Sequence, residues 1–232
     1  MKKIKKVILF THDKYQKNKD IVKLSAFLKR KKIDTEILLQ SSKNVKVIST
    51  GENLQPSSKI NTTSLKSYGL IIVFGGDGLF LSASKFAYFL NIPILGINFG
   101  KIGFLVDVDK KDILKKVYEI IMGDYIIDKR MLIDANVQDA NDNKITSTSL
   151  NDIVVYNYGL LKMIQAKIYI NNFLVNIQRS DGVIISTPTG STAYSMSNGC
   201  PIVSPDAKVI SITPISPHTY SHRPLIINHR DK

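Results

Sequence analysis

Apolar positions in the first half of the chain follow two rhythms. Short unbroken runs at residues 5–11, 35–39, 70–74 and 92–99 are rich in β-branched and aromatic side chains, the pattern of strands buried on both faces. Between them, Ile21, Leu24, Ala26, Phe27 and Leu28 lie mostly at helical spacing, residues 79–90 predict a second helix, and Ile113, Leu114, Val117 and Ile120 mark the apolar face of a third over residues 110–121. Strand, helix, strand, helix and strand predict a parallel sheet covered by helices on both sides. Residues 40–67 turn to Ser, Asn, Thr and Lys with Gly51 and Pro56, which predicts a loop or lid with a brief strand at 45–48.

After residue 126 alternating runs take over and helical spacing nearly disappears. Residues 131–137 and 145–150 flank a turn at 139–143, residues 153–156 and 183–186 read as further strands, and 166–170 and 173–177 flank Asn171-Asn172, a two-residue hairpin turn. The expected fold class is α/β, with a parallel-sheet domain over 1–126 followed by an all-β, sandwich-like domain over 127–232.

Composition bears on partner and compartment. The chain has 32 Lys and Arg against 19 Asp and Glu, a formal charge of +13, so a polyanionic partner has to be weighed. Much of the excess is local: Lys2, Lys3, Lys5 and Lys6 precede the first strand, and residues 29–32 form a basic tetrad at the C-terminal end of the first helix, where positive charge suits the dipole. These are solvated element ends, and no nucleic-acid partner is expected. The single cysteine, Cys200, excludes an internal disulfide and a Cys-based zinc site. The apolar run at 7–10 is too short for a signal-peptide core, and no stretch has the length of a membrane helix. A cytoplasmic protein without a membrane partner is expected.

The chemistry concentrates in three stretches. In the first, GLIIVFGGDGLFL over residues 69–81, the buried run stops at Gly75. Gly75, Gly76 and Gly78 form a candidate phosphate cradle, because glycines permit close backbone approach and clustered N–H groups near a helix start attract phosphate oxygens. Asp77, between them, would repel that anion, and is better suited to accept a proton from a hydroxyl nucleophile or to hold Mg²⁺. The plainer reading is a strand-to-helix turn with Asp77 as N-cap. The second stretch, Asn151-Asp152, offers donors and acceptors suited to the adjacent hydroxyls of a ribose, or simply starts a strand. In the third, residues 179–195, Thr-Pro-Thr-Gly-Ser-Thr runs into Ala-Tyr-Ser and collects hydroxyls and amides at a predicted helix N-terminus. There Tyr194 can stack on a flat ring and Asp181 can accept from amino or hydroxyl groups. A Ser/Thr-rich surface loop is the alternative.

Taken together, Gly75-Gly76-Asp77-Gly78, the turn from Asn98 to Leu105 (NFGKIGFL), Asn151-Asp152, Ser180-Asp181-Gly182 and the segment from Thr187 to Ser195 (TPTGSTAYS), in this order and spacing, resemble the NAD kinases. Residues 214–225 add to the likeness, which covers the chain from Gly69 onward. A lone Gly-Gly-Asp-Gly is shared with lipid kinases and phosphofructokinases; the Thr187 segment is the specific part. The resemblance implies an α/β domain followed by a β-sandwich, and phosphoryl transfer from ATP or polyphosphate to the 2′-hydroxyl of the adenosine ribose of NAD, giving NADP. It implies Asp77 as proton acceptor, Gly78 and Phe104 beside the substrate, and Asn151, Asp152, Lys162, Arg179, Asp181, Thr189, Thr192, Ala193, Tyr194, Ser195, Met196 and Ser197 as NAD contacts. Mg²⁺ is expected to arrive with the donor phosphates rather than in a protein ligand set, and a homo-oligomer, dimer or tetramer, is implied. Leu79 departs from the family's usual hydroxyl residue, and Cys200 replaces the second glycine of a Gly-Gly pair and reads as structural. Family members run beyond residue 232 into a returning segment, so the chain is expected to end before it. A lipid kinase and a non-catalytic dinucleotide-binding module are the competing readings.

Overall fold

The computed structural model describes residues 3–41, 45–49 as backbone, 65–99, 103–106, 108–157, 162–219 and 222–232. It divides into two compact units, Met1–Ile127 and Asp128–Lys232. Most of the predicted loop at 40–67, the start of the second glycine-rich turn (Gly100, Lys101, Ile102), and Tyr220 and Ser221 lie outside the described residues.

The first unit is built on five strands, β1 (Lys6–His12), β2 (Asp34–Gln40), β3 (Val45–Ser49), β4 (Leu70–Gly75) and β5 (Ile94–Asn98), in the order β3-β2-β1-β4-β5. β1 runs parallel to β2 and β4, and β4 parallel to β5. The expected parallel sheet therefore forms, with one addition: β3 pairs antiparallel to β2 on the edge. All six residues of β4 are buried because helices cover both faces. Val7, Leu9, Leu70, Ile72, Phe74 and Ile97 meet Ile21, Leu24 and Leu28 of α1 (Lys19–Arg30) and Ile113, Val117 and Ile121 of α3 (Ile113–Met122). The alternate residues Ile8, Phe10, Ile71 and Val73 are equally buried on the other side, where Phe86 of α2 (Asp77–Leu90) packs its ring 5.7 Å from Phe10. Asn18 caps α1 by accepting the Asp20 N–H at 2.8 Å, and Lys29 and Arg30 fill its last turn.

The strand order places the site. From β1 the chain crosses through α1 to β2 on one side, then returns to β4 on the other and continues to β5, so the direction of winding reverses between β1 and β4. Thr11 of β1 lies in register with Phe74 and donates its hydroxyl to the Phe74 carbonyl at 3.2 Å. The loops leaving these two strands diverge, which opens the crevice where such sheets bind ligands.

The second unit is antiparallel and strand-rich. β8 (Asp152–Tyr156), β11 (Gly182–Ser186), β12 (Val209–Ile215) and β13 (Leu225–Asn228) form one sheet in the order β13-β12-β11-β8. Two hairpins stand beside it, β6 (Ile133–Gln138) with β7 (Lys144–Ser149), and β9 (Ile164–Ile170) with β10 (Phe173–Ser180). Asn171 and Asn172 both adopt left-handed backbone, φ 52° and 69°, as a tight hairpin turn between twisted strands requires. In the other hairpin the Asp139 carboxylate accepts the Asn143 side-chain and backbone N–H groups and the Asn141 N–H, which hold it below the usual carboxylate range. Among the described residues, no helix is long and apolar enough to cross a membrane.

Candidate active site

In the first unit β4 ends at Gly75 and α2 begins at Asp77. The glycines differ in what they do. A Cβ on Gly75 would lie 2.6 Å from Cδ2 and 3.0 Å from Cβ of Leu79, so Gly75 is the floor on which Leu79 packs. Gly76 has ordinary extended backbone, φ −103° and ψ −174°. A Cβ on Gly76 or Gly78 would meet nothing within 4 Å. These two glycines are not demanded by backbone strain or by packing; they leave open space on either side of Asp77, as a ligand cradle needs.

Asp77 is not the helix cap. The N-cap of α2 is Gly76, which makes no side-chain cap bond. The Asp77 carboxylate turns instead to the loop after β5, where Oδ2 accepts the Phe104 N–H at 2.9 Å and Oδ1 accepts the Leu105 N–H at 3.2 Å. It remains partly exposed, and the Phe104 side chain beside it is 64% exposed. Leu105 and Gly103 belong to the glycine-rich motif legible in the sequence, yet nothing in their local pattern assigns them to Asp77, because the contact joins loops 26–28 positions apart.

In the second unit, Asn151 and Asp152 open β8. The Asn151 carbonyl accepts the Thr187 N–H at 2.8 Å, while its side-chain Oδ1 is buried without a hydrogen-bond partner. Burial pushes the Asp152 carboxyl above its ordinary range. An orphan acceptor next to a desolvated acid is a costly pair in the free protein, and its chemistry suits a hydroxyl-bearing ligand that supplies the missing donors. Ser186 stands opposite Asp152 in the sheet, and a Cβ on Gly190 would lie 2.6 Å from both the Asn151 carbonyl carbon and Ser186 Oγ. Gly190 therefore permits the close approach of its loop to Asn151.

The segment after β11 departs from the sequence expectation. No α-helix starts there; two short 3₁₀ turns, Thr189–Thr192 and Met196–Asn198, are separated by Ala193, Tyr194 and Ser195. The reason is the hydroxyls themselves, which take the backbone groups that a helix would use. Thr187 Oγ1 donates to the Leu150 carbonyl at 2.6 Å and accepts the Gly190 N–H at 3.1 Å. Ser191 Oγ donates to the Pro188 carbonyl at 2.7 Å and accepts the Val203 N–H at 3.0 Å, and Ser195 Oγ donates to the Gly190 carbonyl at 2.9 Å. Thr189, Ser191 and Ser195 are buried, Thr192 and Ala193 are half-buried, and Tyr194, Met196 and Ser197 face solvent.

The other candidate contacts lie outside that loop. Arg179 and Asp181 are both exposed where β10 passes into β11; the Arg179 carbonyl accepts the His218 N–H and the Asp181 N–H donates to Ile215, each at 2.9 Å. Lys162 is exposed ahead of β9, its carbonyl accepting from Asn157 Nδ2 at 3.0 Å. A residue that the sequence reading passed over is Arg130, which is paired with Asp128 and whose Nη1 donates to Thr189 Oγ1 at 3.4 Å. Cys200 is buried and free, its N–H donating to the Ser195 carbonyl at 3.1 Å. Among the described residues, no three His, Cys, Asp or Glu side chains converge as a metal site.

Two family models match the chain: the ATP-NAD kinase N-terminal domain over residues 11–125 and the ATP-NAD kinase C-terminal domain over residues 150–232. A NAD kinase of Clostridium perfringens is 39% identical over 213 residues, covering 88% of this chain and 75% of the relative. A NAD kinase of Teredinibacter turnerae is 43% identical over 158 residues, covering 68% of this chain and 54% of the relative. One from Klebsiella pneumoniae is 42% identical over 175 residues, covering 74% and 60%. The chain thus spans little more than half the length of several curated relatives that it matches. Among solved structures, a yeast NADH kinase complexed with NADH superposes with a TM-score of 0.82 at 23% identity, covering 100% of this chain and 71% of that one. A NAD kinase from Archaeoglobus fulgidus in complex with ATP gives 0.73 at 20% identity, covering 97% and 78%. At these identities the likeness is one of fold.

Proposed function

The chain belongs to the NAD kinase family, and from that membership we propose that it phosphorylates the 2′-hydroxyl of the adenosine ribose of NAD, with ATP or polyphosphate as donor, to make NADP. The observation that carries the reading is the Asp77 carboxylate, partly exposed, held by two backbone N–H groups and flanked by glycines whose Cβ positions are open. In the reaction the ribose O2′ forms a bond to the terminal phosphorus as the bond from that phosphorus to the donor's bridging oxygen breaks. The hydroxyl proton passes to the Asp77 carboxylate. That transfer requires an acceptor already aimed, because phosphoryl transfer depends mostly on positioning and charge neutralisation.

Mg²⁺ bound with the donor phosphates would neutralise their charge. Mg²⁺ keeps several waters and is commonly held through substrate phosphates, a mode that leaves the Asp77 carboxylate, already held by two backbone N–H groups, to take the hydroxyl proton. On the acceptor side we assign ribose recognition to Asn151 and Asp152, supported by the unpartnered Asn151 Oδ1 and the desolvated Asp152 carboxyl. Tyr194, Met196, Ser197 and Phe104 offer exposed surface for further NAD contacts, whereas the Ser195 hydroxyl is spent inside its own loop. A homo-oligomer belongs to the same reading, supported by exposed apolar side chains at the turn end of the β9–β10 hairpin, where Tyr169 and Leu174 stand opposite each other and Phe173 is 76% exposed. So does a cytoplasmic location, consistent with one unpaired cysteine.

The test is NADP formation from NAD and Mg²⁺-ATP, read through an NADP-specific dehydrogenase, with Asp77→Asn alongside. Turnover in the wild type that drops about 10²-fold or more in the variant, with NAD binding retained, is the expected result. Absence of turnover in a wild-type protein that binds NAD would refute it in favour of a non-catalytic module.

A further inference from the structure

We propose that residues 103–105 form an amide clamp that positions the Asp77 carboxylate for proton transfer, and that Gly103 is the positioning residue that lets the clamp close. The proposal rests on the reading of Asp77 as proton acceptor.

An aspartate in the first turn of a helix ordinarily finds its donors among the free N–H groups of that same turn. Asp77 does otherwise: its two oxygens each take one N–H from consecutive residues of a different loop. A carboxylate has about four lone-pair sites, so one acceptor site on each oxygen stays free for a substrate hydroxyl. Two charge-assisted bonds to separate oxygens fix the position and the plane of the group together.

The loop that supplies the donors is itself held. It leaves β5 at Asn98 and returns at Val108, which bridges to Ile97; the Asn98 N–H donates to the Val108 carbonyl at 3.0 Å and the Val108 N–H to Gly96 at 3.3 Å. A Cβ on Gly96 would meet the Val106 Cα at 3.1 Å, so Val106, next to the second donor residue, lies tightly on β5. The donors are thereby fixed to the sheet, and the carboxylate to the donors.

Gly103 is where the arrangement has least tolerance. A Cβ there would lie 2.6 Å from both Cγ and Oδ2 of Asp77. Its backbone does not fall in the left-handed range; among the described residues the glycines there are Gly123 and Gly199. Glycine is thus required at 103 for clearance and not for conformation, and an alanine would leave the backbone unstrained while pushing the carboxylate away from its donors.

The experiment is a double-mutant cycle on the full chain with Gly103→Ala and Asp77→Asn. Gly103→Ala is expected to lower kcat by about ten- to a hundredfold, the scale of a misplacement near 1 Å, with the KM for NAD changed less than about twofold. In the Asp77→Asn background the same alanine should cost less than about twofold more, since a residue acting through Asp77 has little left to disturb. An equal loss in both backgrounds, or no loss in the single variant, overturns the proposal. A second arm uses NMR on the wild type and Asp77→Ala alone, so it does not depend on Gly103→Ala folding. The Phe104 and Leu105 amide protons should shift upfield on losing the carboxylate, and unmoved resonances would also overturn the proposal. A wild type without turnover would defeat the kinase reading, while the amide shifts would still decide whether the clamp exists.

Discussion

Thr187 is the side chain on which the loop after β11 depends most directly, and Thr187→Val isolates its hydroxyl. The residue is 1% exposed, donates to the Leu150 carbonyl at 2.6 Å and accepts the Gly190 N–H at 3.1 Å. Valine keeps the shape and removes both bonds, leaving a buried acceptor and a buried donor without this partner. Each such loss costs about 1–3 kcal/mol. The added methyl returns about 0.8 kcal/mol through burial, so the net destabilisation should be near 3 kcal/mol within a range of about 1–5. For a chain of this length that corresponds to a fall in Tm of about 6–12 °C. Because the chain has no tryptophan, thermal unfolding is best followed by circular dichroism, with Thr187→Ser as the control that keeps the hydroxyl and restores most of the loss. NAD affinity should fall with stability, since the same loop packs on Asn151 through Gly190. A valine variant that melts within about 1 °C of wild type would refute the argument, because buried groups deprived of their partners cannot be that cheap.

Two further outcomes follow from the second unit. Burial raises the Asp152 carboxyl above its ordinary 3.8, so the folded state holds that proton more tightly than the unfolded one, and ionisation opposes folding as pH climbs through the raised value. Asp152→Asn should therefore melt above wild type at neutral pH, with the gap closing below the ordinary carboxylate range, while NAD binding weakens; Tm curves that stay parallel from about pH 3 to 7 would contradict this. Leu174→Asp places a charge directly opposite Tyr169 and next to the exposed Phe173, and should convert an oligomer into monomer in light scattering; a wild type that is monomeric at assay concentration would remove the basis for that patch as an interface.

The parts of the fold legible in the sequence are those where burial is one-dimensional. β4 could be read because six successive residues are buried, and only a strand covered on both faces reads that way. The Asn171-Asn172 turn could be read because left-handed backbone at two adjacent positions restricts residue type. The segment after β11 was misjudged as a helix start because side chains of Thr187, Ser191 and Ser195 compete for backbone groups, and composition alone does not say which way that competition goes. The direction of β3 was equally hidden, since a short strand pattern carries no sign of parallel or antiparallel pairing. At the glycine turn the residues were legible and their separate duties were not: packing on Leu79 falls to Gly75, and open space to Gly76 and Gly78. The tie between Asp77 and residues 103–105 belongs to tertiary structure, and no local periodicity encodes it.

The donors that hold Asp77 are main-chain atoms, and this changes what mutation can do to the site. A base oriented by a neighbouring side chain is lost when that neighbour is exchanged. Here Phe104 and Leu105 carry their N–H groups whatever residue stands at either position, proline alone excepted. Random substitution across 103–105 should therefore give an uneven map: wide tolerance for the chemistry of 104 and 105, and almost none for anything larger than hydrogen at 103. Under the proposed reading, exchanging the Phe104 side chain alters its NAD contact while the two main-chain donors, and with them the aim of Asp77, stay in place.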